Sequence, residues 1–302
     1  PTSASKYGVI EMKNIGIIGR GFVGNAVANG FSEGTGFKAK IRVFDTNPLK
    51  STHSLEEVIK DSEVVFISVP TPSNKNGSIN LDILDNCLEQ INKEAKKIKK
   101  VNCIFLIRST IVPGTTRRFQ NKFPNLKLVF NPEFLTERSA TFDFISQTRY
   151  VLGGEKKNTK TIKELYQLRF GSTISIIETD YESAELIKYV CNTFFATKVS
   201  FLNEMKLLSD KVGADWDTVI EGFVRDGRVG HSHTQVPGPD GKLGFGGSCF
   251  PKDIQALINF GDSLSINLNV LKGAWKTNLK IRPEKDWEKL LGRAIVNENK
   301  TK

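Results

Sequence analysis

Residues 15–24 read Ile-Gly-Ile-Ile-Gly-Arg-Gly-Phe-Val-Gly, and this stretch decides the fold. Its apolar beginning is typical of a buried strand, and glycines follow at 19, 21 and 24, where a helix should start. A G-x-G-x-x-G pattern in this context is typical of dinucleotide binding: Gly19 makes the turn, Gly21 admits the pyrophosphate to the helix N-terminus, and Gly24 lets helix and strand pack. The alternatives are a tight turn without a ligand and an FAD site, for which no second FAD element is evident.

An acidic residue completes this pattern. Asp45 ends the next predicted strand, Lys40–Phe44, about 20 residues beyond the last glycine, as the dinucleotide fingerprint requires. A carboxylate there would hydrogen-bond the ribose 2′-hydroxyl and repel a 2′-phosphate. The predicted cofactor is therefore NAD rather than NADP.

Strand and helix patterns alternate outward from this stretch. Further apolar runs predict strands at 64–69, 103–107, 128–130, 150–153 and 172–177, and helical patterns predict helices at 25–31, 54–60 and 81–97. Continuous apolar strands alternating with helices indicate an α/β fold, a Rossmann-type doubly wound parallel sheet covered on both faces. From residue 179 the period changes, and Tyr181–Val212 reads as one long helix, the spine of a mainly helical second domain.

The domain organisation follows from these patterns. We expect an N-terminal tail at 1–13, the NAD-binding domain at 14–178, a helical central and dimerisation domain at 179–282, and a short C-terminal tail at 283–302. Within the helical domain a polar, glycine- and proline-rich loop covers 226–247, and a further helix is predicted at Leu264–Leu279.

Composition narrows the function classes. The net charge of +10 allows nucleic acid or an anionic metabolite as partner, but no zinc finger, RNA-binding signature or arginine-rich tract supports nucleic acid. The five lysines of residues 92–100 read as a solvated helix end. No apolar run reaches the length of about 18 residues that a membrane span needs. The four cysteines are far apart without a C-x-x-C pair, which argues against a metal site and disulfides and fits a reducing cytoplasm.

The stretch Gly244–Asp253, Gly-Phe-Gly-Gly-Ser-Cys-Phe-Pro-Lys-Asp, predicts a reactive thiol. Its glycines allow a ligand to approach the backbone closely, and Pro251 suits the first turn of a helix. Because Cys249 precedes that helix, with Lys252 nearby, the helix dipole favours the thiolate, and we interpret Cys249 as a nucleophile. The alternative is a glycine-rich turn with a buried, inert cysteine.

The long helix carries a second polar pair. Lys188 and Asn192 are four residues apart and share one face with apolar neighbours. An ammonium and an amide directed at a ligand could stabilise an oxyanion. The alternative is a lysine whose side chain extends to solvent.

Together these motifs resemble the UDP-glucose/GDP-mannose dehydrogenase family from about Ile15 to Leu279. The segments that carry the resemblance are Gly19–Gly24, Ile67–Pro72 (ISVPTP), Arg108–Thr110 with Pro113–Thr115, Asn131–Leu135 (NPEFL), Glu185–Tyr189 with Asn192, and Gly244–Asp253. The resemblance implies an NAD-dependent four-electron oxidation of a sugar-nucleotide C6 alcohol to a carboxylate, with UDP-glucose as the first candidate substrate.

The resemblance also implies the role of each site residue. Cys249 would form a thiohemiacetal and then a thioester, and Lys188 and Asn192 would stabilise the alkoxide and tetrahedral intermediates. Asp253, with Thr110 and a water, would manage protons, and Glu133 would be a water-mediated base or act in the hydrolysis of the thioester. The cofactor-side residues would be Gly19, Gly21, Phe22, Val23, Gly24, Asp45, Pro70, Thr71, Ser109 and Glu137. The substrate-side residues would be Phe134, Leu135, Gly246, Phe250 and Arg228, the last reaching across a homodimer interface to the partner's substrate.

The chain departs from the family in three places. Members usually continue into a third domain that holds much of the nucleotide, and here the chain stops soon after the helix that normally leads into it. Residues 236–242 lengthen the substrate loop, and Arg108 stands where a lysine is common. We expect the oxidative chemistry to be intact and leave nucleotide recognition open, with His231, His233 and Lys242 as substitute phosphate contacts.

Three alternatives stay open. The substrate could be GDP-mannose or a sugar nucleotide of the UDP-N-acetylmannosamine type. The chain could instead be a two-electron hydroxyacid dehydrogenase, which needs the lysine and asparagine but not the thiol. It could also be a non-catalytic module that binds NAD.

Overall fold

The computed structural model describes residues 13–99 and 101–298. The chain forms two compact units, the first comprising the described residues up to Pro70 together with Asp82–Lys188. The second comprises Thr71–Leu81 and the residues from Tyr189 onward. The division therefore lies beyond the predicted boundary at residue 178. The predicted N-terminal tail lies outside the described residues except for Lys13, which begins the first strand.

The first unit is built on one seven-stranded sheet. Its strands are β1 (Lys13–Ile18), β2 (Ala39–Phe44), β3 (Val64–Ile67), β4 (Ile104–Ile107), β5 (Leu128–Phe130), β6 (Tyr150–Gly153) and β7 (Ile176–Thr179), in the spatial order β2-β1-β3-β4-β5-β6-β7. Every residue of β3, β4, β5 and β6 is buried, as expected for strands covered on both faces. The predicted Rossmann-type fold class is confirmed.

The sheet differs from the prediction in the limits of two strands and in strand direction. Strand β3 ends at Ile67 rather than at residue 69, and β7 covers Ile176–Thr179 rather than 172–177. Strands β1 to β5 are parallel, but β6 pairs antiparallel with β5, and β7 then runs parallel with β6. A fully buried apolar strand has the same sequence pattern in either direction, so the apolar runs could not reveal the reversal.

Helices of the first unit cover the sheet. They are α1 (Phe22–Gly30), α2 (Leu55–Asp61), α3 (Asp82–Lys97), α4 (Thr115–Lys122), α5 (Ala140–Ile145) and α6 (Lys156–Phe170), and the first residues of α7 (Tyr181–Val212) also belong here. The predicted N-cap of α2 is present: Ser54 Oγ accepts from Glu57 N at 3.2 Å, and Glu57 Oε2 accepts from Ser54 N at 2.7 Å. This reciprocal capping box explains why the helix begins there.

The strand order places a topological switch point at the carboxyl end of β1. Strands β2 and β3 lie on opposite sides of β1. The connection from β1 to β2 therefore runs toward one edge of the sheet, and the connection from β2 to β3 runs back toward the other edge. Ligands of open α/β sheets bind at such a switch point, and the glycine loop 19–24 follows β1 directly.

The second unit is mainly helical. It contains the rest of α7, α8 (Trp216–Val224), α9 (Phe250–Ser263) and α10 (Asn269–Ile281). The limits of α7 agree with the prediction. Helix α10 begins later than the predicted Leu264, because α9 ends only at Ser263 and Ser265, with φ 59°, turns the chain between the two helices.

Part of the described segment after α10 is packed against the second unit. Residues 286–289 form a 3₁₀ helix in which Trp287 is only 3% exposed. Ser73 N donates to Ala294 O, and Val296 N donates to Ser73 O, each at 2.9 Å. Within its described part, the segment predicted as a C-terminal tail is therefore integrated into the second unit.

Several structural features can be excluded for residues 13–99 and 101–298. No helix there combines the length and apolar character that crossing a membrane requires. No group of three or more histidine, cysteine, aspartate or glutamate side chains in the same residues could hold a metal ion. All four cysteines lie in this part of the chain, and none forms a disulfide.

Candidate active site

The loop after β1 has the geometry of a dinucleotide cradle. Gly19 has φ 88°, a conformation that favours glycine, and its N–H donates to Phe44 O at 3.0 Å. A Cβ added at Gly24 would overlap the carbonyl oxygen of Gly19, so α1 and the turn pack without room for a side chain. A Cβ added at Gly21 would meet no atom within 4 Å. The space before the N-terminus of α1 is therefore open, which fits a phosphate group there.

Asp45 lies beside this loop, as predicted. Its Oδ2 accepts from Arg20 N at 2.7 Å and its Oδ1 from Asn47 N at 2.8 Å. Each carboxylate oxygen has a second lone pair, so the fixed carboxylate can still accept from a ligand hydroxyl. The fold brings Asp45 and the glycine loop together.

The other predicted cofactor residues are distributed around the carboxyl ends of the strands. Phe22 and Val23 form the first turn of α1, and Ser109 Oγ donates to Val69 O at 2.5 Å, which links the segments after β3 and β4. Glu137 begins a 3₁₀ helix, Pro70 is the last residue before the chain leaves the first unit, and Thr71 belongs to the second unit.

Lys188 and Glu133 form a buried ion pair in the first unit. Lys188 is 3% and Glu133 6% exposed. Lys188 Nζ donates to the backbone oxygen of Glu133 and lies 3.2 Å from Glu133 Oε1. Glu133 Oε2 accepts from Leu135 N at 2.7 Å. A buried ammonium needs such partners, so Lys188 is not a lysine that extends to solvent.

The neighbours of Glu133 differ in their surroundings. The ring centroid of Phe134 lies 5.4 Å from Lys188 Nζ and 3.9 Å from Arg149 Cζ. The ring therefore makes cation–π contacts with both side chains. Leu135 packs into the core of the sheet, and only its backbone N–H takes part in the polar cluster. Thr110 is buried in the segment after β4.

Glu185 is a buried carboxylate that the sequence analysis did not single out. It is fully buried and accepts from Gly114 N at 3.0 Å, Thr116 N at 2.9 Å and Thr116 Oγ1 at 3.0 Å. It thereby caps α4, whose own N-cap residue is a glycine. Burial raises the pKa of Glu185 from 4.5 to about 7 despite these hydrogen bonds. In the sequence, the sign of this role is that Glu185 lies one helical turn before Lys188 and next to the apolar residue Ala184.

In the second unit, Asn192 and Asp253 are hydrogen-bonded to each other. Asn192 Nδ2 donates to Asp253 Oδ2 at 2.6 Å, and Lys252 Nζ lies 3.0 Å from Asp253 Oδ1. Asp253 is 1% and Lys252 8% exposed. The amide and the carboxylate, predicted from separate motifs, belong to one cluster.

Cys249 stands at the start of α9, as predicted. It is the N-cap residue, its carbonyl accepts from Asp253 N at 2.8 Å, and Pro251 lies in the first turn. The residue is half-buried, and its Sγ lies 3.8 Å from Ser248 Oγ. Burial raises the pKa of the Cys87 and Cys103 thiols to about 12, so those two residues are poor nucleophiles.

The remaining predicted substrate residues lie in the second unit. Arg228 is exposed and pairs with Asp226, with Nη2 2.6 Å from Oδ2. The His233 ring stacks on Phe195 at 4.4 Å between centroids and lies 5.3 Å from Phe250, and burial lowers the pKa of His233. Lys242 pairs with Glu284 at 3.5 Å, and a phosphate role for Lys242, His231 or His233 stays a prediction.

Comparison with known protein families agrees with this arrangement. Residues 35–169 match the NAD binding domain, and residues 182–280 the central domain, of the UDP-glucose/GDP-mannose dehydrogenase family. The chain belongs to this family. The resemblance inferred from the motifs is confirmed, and so is NAD as the cofactor, because a family NAD binding domain covers most of the first unit.

Individual relatives show how far the likeness extends. The chain is 34% identical to a UDP-glucose 6-dehydrogenase of Rickettsia felis over 258 residues, covering 82% of this chain and 54% of the relative. A UDP-glucose dehydrogenase structure from Pyrobaculum islandicum matches with a TM-score of 0.78 and 27% identity, covering 92% of this chain and 70% of that one. A GDP-mannose dehydrogenase structure from Pseudomonas aeruginosa matches with a TM-score of 0.64 and 26% identity, covering 88% and 68%. The chain spans about half the length of the curated relatives it matches.

Proposed function

We propose that the chain carries the oxidative site of an NAD-dependent sugar-nucleotide 6-dehydrogenase, which converts a C6 alcohol to the acid, with UDP-glucose as the leading substrate. The observation that carries the proposal is the thiol at the start of α9, one turn before the Asp253–Asn192 pair. A two-electron dehydrogenase has no need of a thiol at this position. GDP-mannose and UDP-N-acetylmannosamine-type sugars are the next candidate substrates.

The thiol explains how one site could oxidise a carbon twice. Bound NAD⁺ would accept a hydride in each of two rounds. After the first round, the Cys249 thiolate would add to the aldehyde carbon to form a thiohemiacetal. Loss of a hydride from that adduct leaves a thioester, and water cleaves the thioester to release the carboxylate and regenerate the thiolate. The helix dipole at the start of α9 would favour the thiolate form.

The polar side chains would manage charge and protons. The Lys188 ammonium, held by Glu133, and the Asn192 amide, held by Asp253, can each donate to an oxygen that becomes negative. Asp253 would take the alcohol proton through a water that Thr110 helps to hold, and Glu133 would activate the water that cleaves the thioester. Phe134, Leu135, Gly246 and Phe250 are proposed to line the sugar.

We also propose a homodimer that forms on α7, in the cytoplasm. Five apolar side chains of this helix, Val190, Phe194, Phe201, Leu208 and Val212, are between 51% and 70% exposed. Their spacing of four or seven residues places them on one helix face, and such a face can pair with its own copy about a two-fold axis. The exposed Arg228 is then proposed to reach the partner's substrate.

The test is NADH formation across a panel of UDP- and GDP-sugars, with NADH counted per sugar consumed. We expect two NADH for each UDP-glucose in the wild type, because alcohol to acid is a four-electron change. The Cys249→Ser variant should stop at the aldehyde or at a stalled adduct. Acid production at equal rates in both proteins would refute the thiol mechanism.

The same assay separates the alternatives. Full turnover of a hydroxyacid by Cys249→Ala would identify a two-electron dehydrogenase. Binding of NAD without oxidation of any sugar nucleotide would identify a non-catalytic module.

A further inference from the structure

The glycine loop before Cys249 is held by two buried amide side chains. Asn278, on α10, accepts from Phe245 N at 2.8 Å and donates to Phe245 O at 2.9 Å. Asn203, on α7, accepts from Gly244 N at 3.1 Å. Asn278 is fully buried, and Asn203 is 3% exposed. Since the loop is neither helix nor strand, these side chains satisfy the backbone groups that regular structure would otherwise satisfy.

Arg282 holds the same loop through charge and shape. Its Nη2 donates to Asp240 Oδ2 at 2.6 Å, its Nε to Asp286 Oδ1 at 2.7 Å, and its Nη1 to Leu243 O at 3.2 Å. The side chain is 2% exposed. A Cβ added at Gly246 would overlap this guanidinium, so Gly246 must be a glycine for the loop to lie against Arg282.

The loop determines where the thiol sits. Cys249 is the N-cap residue of α9, so the helix fixes its carbonyl side and the loop fixes its amide side. Gly247, with φ 74°, makes the last turn between the part of the loop held by these side chains and the thiol. A nucleophile must be held to within a fraction of an ångström of its productive position.

We propose that Asn278 and Arg282 are positioning residues for Cys249. They act by fixing the backbone of residues 243–246. The inference rests on the proposed function only in taking Cys249 as the reacting group.

The test measures alkylation of each cysteine in the full chain by iodoacetamide, read by peptide mass spectrometry. Asn278→Asp keeps the shape but cannot donate to Phe245 O, and Arg282→Lys keeps the charge but cannot make the forked contacts. Thr277→Ala is the matched control, since it removes one α10 side-chain hydrogen bond, to Glu204 Oε1 at 2.6 Å, without touching the loop. Cys103 is the internal control, because this 1% exposed thiol becomes accessible to the reagent only if the fold opens.

We expect alkylation of Cys249 to rise about tenfold in Asn278→Asp and Arg282→Lys, the factor that corresponds to losing one or two hydrogen bonds. Cys103 should stay protected, and Thr277→Ala should match the wild type. If one variant exposes Cys103, the other variant decides. Wild-type or slower Cys249 alkylation in a folded variant overturns the proposal. The readout needs no turnover, so a negative NADH assay does not affect it.

Discussion

Replacing Glu185 by glutamine tests whether a buried carboxylate limits stability at high pH. The wild-type carboxyl has its pKa raised from 4.5 to about 7, because burial opposes its charge. The folded protein therefore binds this proton more tightly than the unfolded chain does. The resulting stabilisation is complete below the unfolded pKa and is lost as the pH rises through the folded pKa.

The size of the effect follows from the same pKa values. Between about pH 5 and about pH 8, this group alone should lower the free energy of unfolding by about 2–3 kcal/mol. Glutamine does not titrate, but its amide can match only part of the three hydrogen bonds, at a cost of about 1–3 kcal/mol at either pH. We therefore compare the free energies of unfolding of the wild type and Glu185→Gln. From about pH 5 to about pH 8, the difference between them should shift by about 2–3 kcal/mol in favour of the variant.

Urea denaturation followed by far-ultraviolet circular dichroism at the two pH values measures this shift. Glu182→Gln is the matched control. Glu182 also contacts α4, the helix that Glu185 caps, since Arg117 Nη2 lies 2.9 Å from Glu182 Oε2. Unlike Glu185, the Glu182 side chain is 39% exposed. The Arg117 hydrogen bond lowers the pKa of Glu182, so its contribution has the opposite sign and is already complete at the lower pH. A pH-independent difference for Glu185→Gln, or the same shift for Glu182→Gln, would refute the reasoning.

Three further predictions concern the cofactor and the dimer. Gly21→Ala should leave the free energy of unfolding unchanged, because the added Cβ has room, but it should weaken NAD⁺ binding measured by titration calorimetry. Gly24→Ala should weaken NAD⁺ binding and also lower the free energy of unfolding, because its Cβ would overlap Gly19 O. Asp45→Asn should weaken NAD⁺ binding and reduce the preference over NADP⁺, and an unchanged preference in paired titrations would argue against the ribose role. Phe194→Lys should give monomers in sedimentation velocity, whereas Val270→Lys, at an equally exposed apolar residue on α10, should not.

The sequence predicted the parts of the fold that depend on local pattern. The glycine loop, the Ser54 cap and the limits of α7 each follow from residues close together in the chain. The apolar runs could not show the reversal at β6, because pairing direction depends on how the connection after β5 returns. Local pattern likewise could not show that segment 71–81 groups with the second unit, since the backbone partners of Ser73 lie far along the chain.

The candidate site likewise contains some residues that the local sequence marks and others that it does not. Cys249 and Asp45 are recognisable because glycine, proline and acidic neighbours mark them locally. Glu185, Asn278 and Arg282 are not, because their importance comes from burial against loops distant in sequence. Their polar side chains on helices are typical of ordinary solvated positions until the tertiary contacts are known.

The pairing of Ser73 with Ala294 and Val296 has a consequence for biosynthesis. During synthesis on the ribosome, residues 71–81 emerge early, but the backbone they pair with is made only after more than two hundred further residues. The residues of the first unit are therefore all synthesised while the eleven-residue segment 71–81 of the second unit still lacks these backbone partners. Such high contact order slows folding, so the second unit should complete its structure only after translation has passed residue 296.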